Sequence, residues 1–87
     1  MAELVREFLH RIVDEHGAVF AIFDFGSRRA NGQWEGWLQF QTADTVYLST
    51  SETVQSNRRA LEHWANHLSP VYLEGAFRRP RLSAGGS

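Results

Sequence analysis

Ala18 to Phe25, read AVFAIFDF, is the longest apolar run in the chain and offers large side chains to both faces of a strand. Val19, Ala21, Phe23 and Phe25 lie on one face, and Ala18, Phe20 and Ile22 on the other. A strand apolar on both sides belongs in the middle of a sheet. Gln33 to Gln41 alternates more plainly: Trp34, Gly36, Leu38 and Phe40 face one way, while Gln33, Glu35, Trp37, Gln39 and Gln41 face the other. Trp37 is thus an aromatic on a polar side. The intervening GSRRANGQ contains Asn31-Gly32, a turn signal that predicts a hairpin. After a turn at Thr42 to Asp44, Thr45 to Ser49 reads as a third strand, with Val46 and Leu48 opposite Tyr47 in facing.

Helical spacing governs the two ends. Leu4, Val5, Phe8, Leu9, Ile12 and Val13 predict a first helix over residues 2–16, with Gly17 as its C-cap and His16 as a dipole-compatible cap neighbour. Ser56 reads as the N-cap of a second helix with the stripe Ala60, Leu61, Trp64, Ala65 and Leu68, and an earlier start near Ser51 stays open. Ser69-Pro70 closes that helix and can open another. Residues 71–77 then read as a short helix or a strand, and the helix, which groups Leu73 with Phe77, is favoured.

These elements predict an α+β fold: a three-stranded antiparallel meander with two helices on one face, in the order α-β-β-β-α, plus a short C-terminal helix or strand. Residues 1–80 form one domain in this reading, and residues 81–87 a disordered tail. The covered sheet face takes Val19, Ala21, Phe23, Phe25, Trp34, Leu38, Phe40, Val46 and Leu48. Phe20, Ile22, Trp37 and Tyr47 gather on the second face. Burying four such side chains is worth on the order of 6 to 10 kcal/mol. Either residues 71–77 fold over that patch or a second copy or another protein covers it.

Composition narrows the chemistry more than the averages suggest. Without cysteine there is no disulfide framework, thiolate nucleophile, zinc ribbon or iron–sulfur site. Every Lys+Arg residue is arginine, which excludes a Schiff-base lysine and the lysine of a phosphate-binding Walker loop. A net charge of −1 supplies no global attraction to nucleic acid or acidic lipid. The start, MAELVREFLH, places Glu3 and Glu7 where a signal peptide is basic or uniformly apolar, and no run approaches the roughly 18 apolar residues of a membrane span. The expectation is a cytoplasmic protein without membrane partners.

Local clusters carry the remaining candidates. Arg28-Arg29 in the hairpin loop and Arg58-Arg59 at the start of the second helix are candidate nucleic-acid contacts, and Arg78, Arg79 and Arg81 form a further group. In element order this is similar to a double-stranded RNA binding domain, but there are no lysines at the helix start and no Gly-Pro-x-His loop. The bland reading pairs these arginines with Glu52, Glu62 and Glu74. Phe20, Trp37 and Tyr47 could stack unpaired bases, or serve as core or interface. His63 and His67 have metal-ligand spacing, but their face points to solvent and lacks a third ligand, so no metal is expected. No cofactor is expected either, and no arrangement of Ser, His and Asp forces a catalytic site.

GWLQF, ETVQSNRRALEHWA and SPVYLEGAF together resemble a pattern in small uncharacterised bacterial proteins, over about two thirds of the chain. The resemblance implies no activity. The leading expectation is a non-enzymatic module that associates with itself or another protein through Phe20, Ile22, Trp37 and Tyr47. The alternative is nucleic-acid binding through Arg28, Arg29, Arg58 and Arg59.

Overall fold

The computed structural model describes residues 1–79 and 82–83. In chain order its strands are Glu3–Glu7 (β1), Ile12–Val13 (β2), Val19–Arg28 (β3), Trp34–Gln41 (β4), Val46–Leu48 (β5), Thr53–Gln55 (β6) and Leu82–Ser83 (β7). Two helices, Arg58–Asn66 (α1) and Pro70–Arg78 (α2), lie between β6 and β7. β1, β3, β4, β5, β6 and β7 make a six-stranded antiparallel sheet, and β2 pairs antiparallel with β3 beyond the end of β1. The chain is a small α+β domain, and the β3-β4-β5 meander is the centre of a wider sheet.

The wider sheet corrects the predicted first helix. Residues 2–16 do not form a helix: β1 and β2 run along the free edge of β3, with a bulge between Leu4 and Arg6. Their doublet spacing reads as helical, but Leu9 is 97% exposed and Val13 63%, while only Phe8 and Ile12 enter the core. What decides the segment is the row of unpaired backbone groups along β3, which a strand satisfies and a packed helix leaves open. Gly17 has the positive φ expected of it, at 84°, but serves a hairpin turn in which Asp14 Oδ1 accepts from the amides of His16 and Ala18. Thr53–Gln55 is likewise strand rather than an early helical turn.

The helices follow their local signals more closely. Asn57, one residue beyond Ser56, caps α1 by accepting from the Ala60 amide at 2.8 Å. Ser69 caps α2 through the Tyr72 amide, with Pro70 in the first turn, so residues 71–77 take the helical reading. Leu82 and Ser83, placed in the expected tail, pair with β5. The rest of that tail lies outside the described residues.

Both helices cover one face of the sheet; Leu38 and Phe40 of β4 lie on it as the alternation suggested, but β3 turns toward it the opposite set of residues from the one expected. Ile22 sits opposite Phe40, Asp24 opposite Leu38 and Gly26 opposite Gly36, so even-numbered positions of β3 and β4 share the covered side. Phe8, Ile12, Phe20, Ile22, Leu38 and Phe40 pack there against Leu73, Ala76 and Phe77 of α2. The cause is the hairpin loop. A two-residue loop at Asn31-Gly32 would set Phe23 opposite Phe40. Instead the Arg29 amide donates to Gln33 O and the Gly32 amide to Arg29 O, with Gly32 at φ 86°, a turn carrying a glycine bulge. That single residue of register turns every side chain of β3 to the other face relative to β4.

Candidate functional site

The uncovered face of the sheet is built from the odd-numbered positions of the two long strands. Its rungs follow from the register. Leu4, Phe25 and Trp37 lie side by side. Glu7, Phe23, Gln39 and Leu48 form the next rung, and Ala21, Gln41 and Val46 the one beyond. On the other side of the central rung lie Ser27, Glu35 and Val54. The Phe25 and Trp37 rings stack at 6.5 Å with 18° between their planes, and Phe23 lies 6.5 Å from Phe25. Leu4 and Val54 are exposed, at 49% and 39%, and the aromatics are half-buried by one another. A hollow of about 240 Å³ opens beside Trp37 and Leu48.

The sequence-derived surface residues are therefore split between the two faces. Phe20 and Ile22 are buried, at 3% and 0% exposure, and Tyr47 stacks on Phe20 at 5.6 Å. Phe77 of α2 closes over Phe20 at 5.0 Å, so the C-terminal segment covers that patch in cis. Trp37 alone of the four lies on the open face. Phe23 and Phe25, assigned to the covered side by the alternation, join it there.

The arginines also divide. Arg58 reaches Glu3 Oε1 at 3.1 Å and forms a second ion pair with Glu62, so it is engaged within the domain. Arg79 pairs with Glu52 at 2.7 Å, and Arg78 lies 3.8 Å from Glu74. Arg28 and Arg29 are exposed at the hairpin, and Arg59 is exposed on α1. Among the described residues, the open sheet face carries no arginine on any of its rungs.

Beneath the helices lies a polar centre that the sequence reading missed. Asp24 is fully buried, and neither of its carboxylate oxygens has a hydrogen-bond partner among the described residues. Burial, reinforced by the charge of Glu52, pushes its carboxyl up to about 7. Glu52 is carried inward by a kink between β5 and β6, where the Ser49 hydroxyl accepts from the Leu38 amide and the Glu52 amide donates to Gly36 O. Its side chain is 1% exposed; Oε1 accepts from the Tyr72 hydroxyl and from Arg79, and Oε2 has no partner among the described residues. Burial and this carboxylate push the Tyr72 phenol up to about 12. The visible signal for Asp24 was one carboxylate inside AVFAIFDF, on the same parity as Phe20 and Ile22.

Sealed by α1, Asp24 is placed to set stability rather than to touch a ligand. Among the described residues no group of three or more His, Asp or Glu side chains is placed to hold a metal ion. Among them, too, no helix is long and apolar enough to cross a membrane. Comparison with protein-family models, with curated proteins and with solved structures gives no match, so the function is read from the side chains themselves.

Proposed function

We propose that this chain is a protein-association module that pairs with a second copy of itself through the open sheet face. The observation that supports the reading is the rung of Leu4, Phe25 and Trp37, flanked by Phe23 and Leu48, on the side that neither helix covers. Two such faces can pack with their strands aligned about 10 Å apart, as in a β-sandwich. The centre of the face is apolar or neutral, and its two carboxylates, Glu7 and Glu35, sit on the rungs to either side. That distribution suits an isologous apolar contact and opposes a phosphate backbone.

Light scattering over a concentration series tests it. The expected result is a dimer that persists at high salt, and a monomer with unchanged helical circular dichroism for Trp37→Arg, which puts a charge in the middle of the contact. A monomer at every concentration would overturn the pairing. So would duplex RNA binding that is steep in salt and lost on changing Arg58 and Arg59 to Glu, which would move the function to the arginine surface.

A further inference from the structure

The outer side of α1, continued by the two residues that follow it, carries two neighbouring ridges of side chains spaced four residues apart. Arg59, His63 and His67 form a basic ridge, and Ala60, Trp64 and Leu68 form an apolar one. Both line a groove of about 760 Å³ whose far wall is Tyr72 of α2. Trp64 meets Tyr72 edge-on at 6.1 Å, which fixes the apolar wall. On the basic side the His63 and His67 rings lie 4.3 Å apart, and His67 Nδ1 is spent on the His63 carbonyl oxygen at 2.8 Å. Arg59 is exposed and has no hydrogen bond or ion pair among the described residues, in contrast to Arg58. Among the described residues no carboxylate lines the groove, although the chain as a whole is slightly acidic.

We propose that this groove binds an extended segment of a partner protein in which acidic and apolar residues alternate. Four residues of helix advance about 6 Å, and two residues of extended peptide advance about 6.6 Å. Acids at every second position of the segment therefore keep step with Arg59, His63 and His67. The intervening side chains point the opposite way, onto Trp64, Leu68 and Tyr72. From Arg59 in α1 to His67 at its C-cap the ridge runs about 12 Å, which accommodates a five-residue segment carrying three acids. The groove lies on the helix side of the sheet, so the proposal is independent of pairing through Phe25 and Trp37.

The probe is the acetylated, amidated peptide Glu-Leu-Glu-Leu-Glu, titrated into the full chain at low salt and followed by amide and indole NMR shifts. Binding in the range of about 0.1 to 1 mM is expected, centred on Arg59, His63 and Trp64 and weakening as salt is added. Gln-Leu-Gln-Leu-Gln should bind about tenfold more weakly, and Arg59→Glu should cost a similar factor for the acidic peptide. Arg59 is exposed, so its replacement leaves the fold intact, and Trp37→Arg should leave the affinity unchanged. Absence of shifts up to about 5 mM peptide overturns the proposal, as does equal affinity for the glutamine peptide. Tighter binding of oligothymidylate than of the acidic peptide overturns it too, and assigns the groove to nucleic acid.

Discussion

Replacing Asp24 by asparagine is expected to abolish a loss of stability that the native chain suffers between about pH 4 and pH 7. The folded carboxyl titrates at about 7, against 3.8 for the free side chain. Between those values the folded state holds a proton that the unfolded state has released, so stability falls as pH rises through the interval and levels off above it. At 1.36 kcal/mol per pH unit the difference corresponds to roughly 4 kcal/mol, and to about 2 kcal/mol if water reaches the site on breathing. The cause is specific: a carboxylate with no partner on either oxygen among the described residues, beside the second buried acid of Glu52. Urea denaturation of both proteins at pH 5 and pH 8 checks it. The native chain should be weaker at pH 8, and Asp24→Asn should change much less between the two. A native profile that rises toward pH 8, or an identical slope in the variant, would remove Asp24 as the source.

Leu61 is the second position at which a small change should have a large effect. A Cβ on Gly26 would lie 2.4 Å from Leu61 Cδ2, and one on Gly36 would lie 2.6 Å from Leu61 Cδ1. These glycines face each other across β3 and β4, so the sheet presents a bare patch into which the fully buried Leu61 drops. Gly26→Ala and Gly36→Ala are each expected to destabilise the fold by about 1 to 3 kcal/mol through overpacking. Leu61→Ala is expected to cost about 2 to 5 kcal/mol, because the methyls it removes leave a cavity over Asp24. Combining Gly26→Ala with Leu61→Ala should cost less than the two changes added, since the alanine Cβ then fills space that the leucine vacated. Strict additivity in denaturation experiments would mean that Leu61 is not held by this patch. The contact matters beyond stability, since it seats α1 and so fixes the basic and apolar ridges on the helix's outer side.

Strictly local information decided several elements unaided. Asn31-Gly32 marks the hairpin, Ser69-Pro70 starts α2, and the Leu61, Ala65 stripe orients α1 inward. Each rests on neighbours within a few residues: a glycine that tolerates positive φ, a hydroxyl that caps free amides, a repeat that matches the helical turn. The doublets of residues 4–13 and the parity of the strands were of another kind. Leu4, Val5, Ile12 and Val13 fit a helix by spacing, yet the unsatisfied edge of β3 claims them as strand. Phe25 joins Trp37 on the outer side because the loop closes at Arg29 and Gln33 rather than at Ala30, a choice worth one residue of register.

The sequence by itself therefore determined an antiparallel hairpin with a helix after it, favoured a second short helix over a strand at residues 71–77, and excluded the chemistries that need cysteine or lysine. Only the tertiary structure decided which sheet face is open, which arginines are already paired, and that Asp24 and Glu52 are buried together. The physical reason is that alternation records that a strand has two faces without recording which one a distant helix will cover. That choice is made by α2, which places Phe77 on Phe20 and Phe40 and leaves Trp37 to the outside.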